Sequence, residues 1–219
     1  MSLSELWSLY GQNYIDALLA TWGMTLESFA IAMVLAVAVT VMRVSPLKPL
    51  RVFGDLYVQV FRNIPGITLL IIVVYALPPL KVVLPYRTCV IVATVLLGSA
   101  FGSENFMSGI NTVGVGQVEA ARSLGMSFSR ILAKIVIPQA LRSSVLPMTN
   151  LFIAVMLTTA LGSQVPLQPQ ELTGVVSYIN TRSLGGVAAF FISALGYLGT
   201  AFVVSHIGNY IDKKVRILR

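Results

Sequence analysis

Long apolar stretches alternate with shorter polar ones along this chain of 219 residues. A helix needs ~20 mostly apolar residues to cross the hydrocarbon layer of a membrane. Five stretches reach that length when their mildly polar flanks are included, at about residues 24–42, 52–77, 88–110, 145–165 and 184–210. The pattern therefore predicts an all-α membrane protein with five transmembrane helices, built as a single transmembrane domain over residues 1–219.

The second stretch carries a strong signal for an internal break. Its apolar part, residues 64–77, is too short to span, so the helix is expected to recruit residues 52–63 and to bury Arg62. Pro65 and Gly66 follow, and a proline inside a helix removes a hydrogen bond and bends the chain. A kink or broken turn is expected there. Its freed carbonyl groups would line a path, or the break is an ordinary membrane-helix kink.

The amino-terminal stretch lacks the positively charged start and the cleavage site of a secretory signal, and it carries Glu5 and Asp16 instead. We expect it to be retained. Aromatic rings favour the headgroup level of a membrane. Four of them indicate an interfacial segment ahead of the first span: Trp7, Tyr10, Tyr14 and Trp22.

Composition narrows the class of protein. Hydrophobic residues make up 56% of the chain and charged residues only 11%, which excludes an ordinary soluble domain. The formal charge of +7 suggests nucleic acid, but the basic residues stand beside apolar stretches and form no continuous basic face with aromatic residues. Nucleic acid is therefore not an expected partner. The single cysteine, Cys89, lies within an apolar stretch and is expected to pack against lipid or against another helix, without a chemical role.

Lysine and arginine predict the orientation, because cytoplasmic loops carry an excess of both. Most of them follow the first, third and fifth stretches, and few fall on the other side. The larger group is Arg43, Lys48, Arg51, Arg122, Arg130, Lys134, Arg142, Lys213, Lys214, Arg216 and Arg219, and the smaller is Lys81, Arg87 and Arg182. The amino terminus is therefore expected outside the cell (plasma) membrane and the carboxyl terminus in the cytoplasm, with a cytoplasmic loop at about residues 111–143.

That loop contains a polar, helix-forming island at residues 116–138. Residues 118–124 are good helix formers, and Gly125 supplies the permissive backbone that ends a helix. Ser127 is placed to cap a second helix over residues 128–136, which would brace the first. A loop of this length inside a compact domain is seldom without a function, so we expect it to dock a cytoplasmic partner.

The spacing within the island is specific. The triplet Glu119, Ala120, Ala121 is followed after three residues by Gly125, and after nine more by Ile-Val-Ile-Pro at residues 135–138. This resembles the EAA-loop signature of ABC-importer permeases, with Ile137 at a leucine position. The resemblance implies a type I ABC importer permease fold with a short coupling helix that seats in a cleft of the ATP-binding subunit. The residues it assigns to that contact are Glu119, Ala120, Ala121, Leu124 and Gly125.

Two further stretches resemble the polar amino-acid uptake branch of this family. Residues 61–65, Phe-Arg-Asn-Ile-Pro, are similar to its Phe-Arg-Gly/Asn-x-Pro element, and residues 99–104 to its Ser-Ala-Tyr-x-x-Glu stretch. The phrases MRVSPLKPLR and SGINTVGVGQVEAARSLG look closest to glutamate or glutamine permeases. The resemblance implies import of a polar amino acid, with glutamate or glutamine favoured. Another small polar solute is the nearer alternative, and a channel or membrane scaffold the more distant one.

The chain departs from that branch at two positions. Met107 stands where the branch usually has an arginine, and Leu157 lies in a stretch that usually carries a lysine. Loss of both cations weakens the expectation that this subunit binds a substrate carboxylate by itself. A heterodimer with a sister permease that holds more of the pocket is favoured, and a homodimer is the alternative.

The chain has no Gly-x-x-x-x-Gly-Lys-Ser/Thr phosphate loop and no room for a separate soluble domain of usual size. It is therefore not expected to be an enzyme or to bind a cofactor itself. The resemblance places ATP and Mg²⁺ on two separate ATP-binding subunits and implies an extracytoplasmic substrate-binding protein. Membrane lipid is the remaining expected partner.

Arg62 and Glu104 are the charges expected within the membrane. Each is costly alone in lipid, so mutual pairing or contact with a water-filled path is expected. Two roles are left open for these residues: a structural ion pair that fixes helix packing, and a gate or substrate contact. Glu27, near the outer end of the first span, is expected to reach the interface or a polar partner.

The fourth stretch carries a polar stripe, Thr158, Thr159, Ser163 and Gln164. The stripe is a candidate lining for the translocation path. Hydrogen bonds between helices explain it almost as well.

Overall fold

The computed structural model describes residues 2–182 and 185–215, and all regular structure in those two ranges is helical. The helices are α1 (Leu3–Val44), α2 (Lys48–Asn63), α3 (Gly66–Ile71), α4 (Tyr86–Asn111), α5 (Val115–Ser123), α6 (Phe128–Ile131), α7 (Ile137–Ser143), α8 (Val145–Thr158), α9 (Leu172–Arg182) and α10 (Gly186–Val215). Turns of other pitch extend them: π-helical turns at Ile72–Ala76 and Leu132–Val136, and 3₁₀ turns at Pro78–Leu80 and Thr159–Gln164. Leu184, at the start of the predicted fifth span, and the cations Arg216 and Arg219 lie outside the described residues.

The first helix is much longer than its apolar stretch predicts. Ser2 and Glu5 form a capping box, in which the Glu5 amide donates to Ser2 Oγ (3.3 Å) and the Ser2 amide to Glu5 Oε2 (2.9 Å). The helix then runs for 42 residues and ends at Val44, ahead of Pro46. The aromatic segment expected at the membrane interface is therefore the first part of this helix and not a separate element.

The predicted break in the second span is present and sharp. Pro65 lacks an amide hydrogen and separates α2 from α3, and the chain bends there by 102°. α2 begins earlier than predicted, with Pro49 in its first turn. One side of α2 is charged, whereas Phe53 and Leu56 on the other side remain 60% and 58% exposed. The second span is thus two short helices, of which α2 carries charged residues and α3 carries none.

α1 and α4 run side by side in the same direction. Ala32 packs beside Gly98 and Ala36 beside Gly102, where a Cβ on the glycine would lie 3.2 and 2.9 Å from the alanine Cβ. Small residues at helical spacing let two backbones approach closely in a membrane. These contacts advance together along both helices, so α1 and α4 are parallel, and residues 45–85 return the chain between them.

α8 runs against this direction. Asn105, near the end of α4, donates from Nδ2 to the Pro147 carbonyl at the start of α8 (3.1 Å). Thr149, two residues further along α8, packs directly on Gly208 near the end of α10. We call this end of the bundle, where α1, α4 and α10 finish and residues 111–144 lie, the loop end. The other is the opposite end.

At the opposite end, α9 packs with the first part of α1 and the start of α10. The Tyr14 hydroxyl donates to the Ala189 carbonyl (3.0 Å), and Trp22 Nε1 donates to Thr200 Oγ1 (3.0 Å), so α10 runs parallel to α1. One buried apolar cluster joins these helices: Leu6, Tyr14, Ala17, Leu172, Val175, Val176, Ile179 and Ala189. A second joins α1, α3 and α4: Met24, Leu69, Leu70, Val73, Cys89, Val90, Ala93 and Leu167. Cys89 is packed in the core, as predicted.

Candidate functional site

Residues 111–143 form two connected helical pieces at the loop end. α5 carries the Glu-Ala-Ala triplet and begins about one turn earlier than predicted. Gly125 ends it with a φ of 72°, and its amide donates to the Arg122 carbonyl (2.9 Å) while the Met126 amide donates to the Ala121 carbonyl (3.1 Å). This is the Schellman arrangement, which requires a left-handed residue that glycine supplies without steric strain.

The second piece is longer than predicted, because α6, the π-helical turn and α7 follow one another without a break from residue 128 to 143. Ser127 precedes α6, but its hydroxyl makes no capping bond there and lies 3.5 Å from the Ser129 hydroxyl. The prediction of a serine cap is wrong. The π-helical turn ends at Val136 and α7 begins at Ile137, with Pro138 in the first turn of α7, where proline is tolerated.

A small apolar cluster holds the two pieces together. Its buried members are Val113, Ala121, Ile131 and Val136. Gln139 Nε2 also donates to Gln117 Oε1 (2.7 Å), which ties α7 to α5. The second piece therefore braces the first.

The other face of α5 is open. Ala121 is 3% exposed, whereas Leu124 is 82% exposed. Glu119, Ala120 and Gly125 are exposed as well. Four of the five residues assigned to a partner contact thus lie on the surface, and Ala121 packs beneath them.

The second candidate region is a group of charges on α1, α2 and α4, in the half of the bundle nearer the loop end. Arg62 Nη1 lies 3.5 Å from Glu104 Oε1. The shorter contact to that oxygen comes from Arg43 Nη2, at 2.8 Å. Arg43 also donates through Nε to Asp55 Oδ1 (2.9 Å) and through Nη1 to Ser103 Oγ (3.2 Å). Four charges thus alternate in sign, Asp55, Arg43, Glu104 and Arg62, and we call them the charge chain.

Arg43 and Asp55 are the members of the charge chain that sequence reasoning missed, and Arg43 was expected only as a cation after the first span. Its side chain is 12% exposed, against 40% for Arg62. Its carboxylate partners lie 12 and 61 residues away in the chain, so no local pattern identifies the pairing. The available signal is its position in the last turn of the first helix, too close to the apolar stretch for a free loop residue.

Gly54 brings α2 against α1 beside the charge chain. A Cβ there would lie 2.8 Å from Arg43 Cγ and 3.2 Å from the Val39 carbonyl oxygen. The absence of a side chain therefore permits the approach that places Asp55 on Arg43.

Arg62 also lines a cavity of about 190 Å³ with Val58, Gln59, Asn63 and Phe101. The guanidinium carbon of Arg62 lies 5.3 Å from the centre of the Phe101 ring, which is a cation–π contact. One face of the guanidinium is therefore covered by an aromatic ring, and the group borders open space.

The polar stripe of the fourth span is divided by the structure. Thr158 and Gln164 line a second cavity, of about 510 Å³, together with Leu157. Thr159 is fully buried and donates to the Met156 carbonyl (2.6 Å), and Ser163 donates to the Ala160 carbonyl (2.8 Å). Two of the four residues thus border open space, and the Thr158 hydroxyl, like those of Thr159 and Ser163, donates to a carbonyl of its own helix (Ala154, 2.8 Å). At the first departure position, Met107 is half-buried in α4.

A buried carboxylate at the opposite end was not predicted. Glu171 is 0% exposed and accepts the amide hydrogens of Thr173 and Gly174 (both 2.6 Å) and the hydroxyl hydrogen of Tyr197 (3.0 Å). Burial raises the pKa of Glu171 above its ordinary value, although these hydrogen bonds oppose the rise. An acid that satisfies the first free amides of a helix stabilises it, so Glu171 fixes the start of α9. The sequence signal was an acid directly before an apolar helix.

Glu27 pairs with Arg87 at the opposite end, where Arg87 Nη1 donates to Glu27 Oε2 and Nη2 to Oε1, each at 2.8 Å. The expected polar partner of Glu27 is therefore this arginine. Within the two described ranges, no group of three or more His, Cys, Asp or Glu side chains is arranged to hold a metal ion.

The fold and this loop define a class of membrane transport proteins. Residues 28–217 match the family described as the binding-protein-dependent transport system inner membrane component. The match covers most of the chain, and the chain belongs to this family.

Individual relatives extend the match to nearly full length. The glutamate transport system permease protein GluC of Corynebacterium efficiens is 33% identical over 208 residues, covering 90% of this chain and 91% of that protein. The L-cystine transport system permease protein TcyB of Bacillus subtilis is 31% identical, with 95% and 91% covered. The probable glutamine ABC transporter permease protein GlnM of Bacillus subtilis is 31% identical, with 97% and 96% covered.

Solved structures share the architecture. An amino acid ABC transporter solved with histidines superimposes with a TM-score of 0.91 at 24% identity, over 98% of this chain and 99% of that one. The MetNI methionine ABC transporter, in an inward-facing conformation, gives a TM-score of 0.74 at 20% identity, over 99% and 100%. The predicted all-α, type I ABC importer permease fold is therefore confirmed.

Proposed function

We propose that this protein is the transmembrane permease subunit of an ATP-driven importer for a polar amino acid, with glutamate or glutamine as the favoured cargo. The observation that carries the proposal is the family match over residues 28–217, which includes the whole helical segment with the Glu119 triplet. Relatives named for glutamate, glutamine and cystine support the class of cargo. The chain is a transport subunit and not an enzyme, and ATP and Mg²⁺ bind to its ATP-binding partner.

Five membrane spans are the topology that the helix directions support. α1, α4, α8 with its 3₁₀ turn, and α10 are each long and apolar enough to cross a membrane, and α2 with α3 is a broken fifth candidate. Because α1 and α4 are parallel, the broken pair must cross between them. Basic residues at the loop end favour the cytoplasm, so the amino terminus lies outside the cell membrane and the carboxyl terminus inside.

α5 is the coupling helix in this proposal. Its exposed face, with Glu119, Ala120 and Leu124, seats in a cleft of an ATP-binding subunit. Ala121 holds the helix against the bracing piece, and Gly125 sets its end. Closure of two ATP-binding subunits draws together the α5 helices of a permease pair, and the attached spans switch from inward- to outward-facing.

The remaining partners follow from that cycle. An extracytoplasmic substrate-binding protein delivers the amino acid, and a second permease completes the path. A heterodimer is favoured because the cations expected at Met107 and Leu157 are missing from this chain. A homodimer is the alternative, and lipid surrounds the assembly.

The two cavities mark the transport surface. Leu97 lines the larger and Phe101 the smaller, and these residues are ~6 Å apart along α4, so the cavities adjoin. Thr158 and Gln164 border this surface, whereas Thr159 and Ser163 serve helix packing. The Arg62–Glu104 contact holds α2 on α4 at the cytoplasmic end of the surface, where its opening would act as a gate.

Co-purification and uptake test the coupling role. On the exposed face of α5, Leu124→Asp places a negative charge where an apolar side chain stood, and Glu119→Trp places a bulky indole ring. Both are expected to release the ATP-binding subunits and to abolish ATP-driven uptake in proteoliposomes. Val83→Asp is the matched control, since Val83 is 77% exposed in the stretch before α4, far from the loop end.

Subunits that stay bound, together with full uptake in both α5 variants, would exclude the coupling role. A wild-type chain that co-purifies with no ATP-binding subunit would point instead to a channel or membrane scaffold.

A second candidate cargo has support from one relative. The L-cystine permease named above covers 95% of this chain at 31% identity, close to the values for the glutamate and glutamine relatives. Competition of uptake by unlabelled glutamate, glutamine and cystine distinguishes the three cargoes.

A further inference from the structure

We propose that the loop end binds an anionic phospholipid, with the two acyl chains in two adjoining apolar grooves and the phosphate among the basic residues that border them. The inference goes beyond the proposed function, because it requires only that the loop end lies at a membrane surface. It depends neither on the cargo nor on the ATP-binding subunits.

Two apolar grooves adjoin at the loop end. The first, of about 270 Å³, lies between the end of α1 and the bracing piece, residues 128–143, and we call it the α1 groove. The second, of about 390 Å³, lies between α8 and the end of α10, and we call it the α10 groove. Phe106 of α4 and Leu141 of α7 line both grooves. The two chains of one lipid can therefore lie on either side of the same two residues.

The α10 groove extends in the direction that an acyl chain requires. Val145, Met148 and Phe152 line it at helical spacing along α8. Seven residues of an α-helix rise ~10 Å, whereas the hydrocarbon part of one leaflet is ~15 Å thick. A chain that enters beside Leu141 at the headgroup level can therefore follow α8 through most of one leaflet.

The grooves face away from the transport surface. Phe101 lines the smaller transport cavity, and Phe106 lies five residues further along α4. At ~100° per residue, these two side chains leave α4 ~140° apart. Large side chains on the walls of the α1 groove remain exposed: Val41, Phe128, Ile137 and Leu141. A second permease that shares the transport path would not reach this side, so lipid is the apolar partner that can cover them.

The charge beside the α1 groove is positive. Residues 44–51 and 128–143, which supply much of its wall, contain five exposed cations and no carboxylate: Lys48, Arg51, Arg130, Lys134 and Arg142. None of the five forms an ion pair with a carboxylate in the described part of the chain.

Two of these cations stand on facing walls of the α1 groove. Arg142 directly follows Leu141, which both grooves share, and Lys48 comes two residues after Pro46 on the α1 side. Basic pockets between helices at a negatively charged membrane surface bind acidic lipid headgroups. A phosphate held above Leu141 compensates this positive charge, and a zwitterionic headgroup does so only weakly.

A lipid in this position supports the bracing piece from behind. Ile131 and Val136 pack with Ala121 in the cluster that holds α5. Phe128 and Leu132, on the same piece, line the α1 groove instead. The bracing piece thus lies between α5 and the bound lipid, which holds it against α1.

The test is lipid binding to the purified permease, together with any subunits that accompany it. Native mass spectrometry of the delipidated protein in detergent measures the affinity for phosphatidylglycerol, phosphatidylcholine and lysophosphatidylglycerol of equal chain length. We expect phosphatidylglycerol to bind about tenfold more tightly than phosphatidylcholine, because only its headgroup carries a net negative charge. The lysolipid has one chain and should bind about tenfold more weakly than phosphatidylglycerol. Glycerol 3-phosphate, which has no chain, should not compete.

A double variant tests the headgroup contact. Lys48→Gln with Arg142→Gln removes one cation from each wall of the α1 groove. It should weaken phosphatidylglycerol about tenfold, to the affinity of phosphatidylcholine, and leave phosphatidylcholine unchanged. Lys81→Gln with Arg182→Gln is the matched control, since it removes two exposed cations at the opposite end and should change neither affinity.

A second variant tests the groove without changing its charge. Val41→Trp fills the α1 groove with an indole ring and should weaken phosphatidylglycerol about tenfold. Val34→Trp is the matched control two turns earlier on α1, because Val34 is exposed and lines neither groove. A normal thermal midpoint identifies the variants that fold, and either test variant alone decides the outcome.

Equal affinity for the two diacyl lipids, competition by glycerol 3-phosphate, or unchanged phosphatidylglycerol binding in a folded test variant overturns the site. A permease dimer that excludes phosphatidylglycerol also overturns it, because a second copy would then occupy the grooves. ATP-driven uptake and the association of ATP-binding subunits report separately on the proposed function. Their loss with intact phosphatidylglycerol binding removes that function and leaves the lipid site.

Discussion

The two ends of the α1–α4 pair use the same residue types in different ways. At the opposite end, Glu27 and Arg87 form a bidentate pair whose side chains are 49% and 43% exposed. At the loop end, Arg43 is 12% exposed and contacts Asp55, Glu104 and a serine. Exposed pairs contribute about 0–1 kcal/mol because water competes for both charges, whereas breaking a buried pair leaves charges without compensation. Burial, more than pairing itself, should therefore decide which charges the fold needs.

The strongest test of this comparison replaces one arginine at each end. Arg43→Gln removes the closest cation of Glu104, whose side chain is 33% exposed, and of Asp55, whose side chain is 51% exposed and in contact with solvent or lipid headgroups, so the free energy of unfolding should fall by about 1.5–3 kcal/mol, the range for hydrogen bonds to charged groups. Arg87→Gln should lower it by about 1 kcal/mol or less. Denaturant unfolding of the detergent-solubilised permease measures both, and equal losses at the two ends would refute the comparison.

Glu171 tests whether burial matters at the opposite end too. In Glu171→Gln a side-chain NH₂ group replaces one of the two carboxylate oxygens. One buried backbone N–H then loses its acceptor, and the free energy of unfolding should fall by about 1–3 kcal/mol. Asp16→Asn is the control, since Asp16 is exposed on the first part of α1. A loss no larger than that of the control would show that burial is not the deciding factor.

The same carboxyl also predicts a pH dependence. Folding raises the pKa of Glu171, so the folded state holds its proton more tightly than the unfolded state. This stabilisation is fully present below the ordinary pKa of 4.5 and is lost as pH rises through the raised value. The stability advantage of wild type over Glu171→Gln, which cannot titrate, should therefore narrow from about pH 4 to pH 7. A widening difference would contradict the direction of the pKa shift.

Gly54 tests whether close packing holds the charge chain in place. Gly54→Ala inserts a Cβ 2.8 Å from Arg43 Cγ and 3.2 Å from a backbone carbonyl, and the overpacking should cost about 1–3 kcal/mol. Gly199→Ala is the matched control within a helix, because nothing lies within 4 Å of its new Cβ. It should be neutral or stabilising, by about 0.5–1 kcal/mol. Equal effects would show that α2 is free to move away from α1.

The smallest expected effect concerns the left-handed backbone conformation of Gly125 and not a charged side chain. Gly125→Ala meets no neighbour within 4 Å, so its cost is only the left-handed φ of 72°, about 1–2 kcal/mol. Gly116→Ala is the control in α5, also with open space around the Cβ. Hydrogen exchange of the α5 amides should increase in the first variant and not in the second.

Several elements were predictable because their signals are local. The break at Pro65 follows from a missing amide hydrogen, and the end of α5 at Gly125 from the left-handed conformation that glycine tolerates. The true length of α1 was not predictable from its apolar stretch, since Ser2 and Glu5 begin the helix far ahead of it. Helix propensity and capping can continue a helix through residues that hydropathy treats as interfacial.

The candidate functional site shows the same contrast between features with a local sequence signal and features without one. The Glu119 segment was found from spacing within one short stretch, and the structure adds which side of it is exposed. The charge chain was found only in part, because Glu104 has its shorter contact with Arg43 and its longer one with Arg62. Ser127 was expected to cap a helix and makes no capping bond, since a serine at the right position need not turn its hydroxyl towards the helix.

The sequence by itself determined that the chain is a helical membrane protein, where its apolar stretches lie and which segment resembles a coupling loop. These properties depend on hydrophobicity and spacing within a few turns. Only the tertiary structure decided that α1 and α4 are parallel, that Gly54 seats α2 on α1, and that Arg43 shares Glu104 with Arg62. Electrostatic contacts act over a few ångströms in space, and the partners of Arg43 come within that range only after helices distant in the chain have packed.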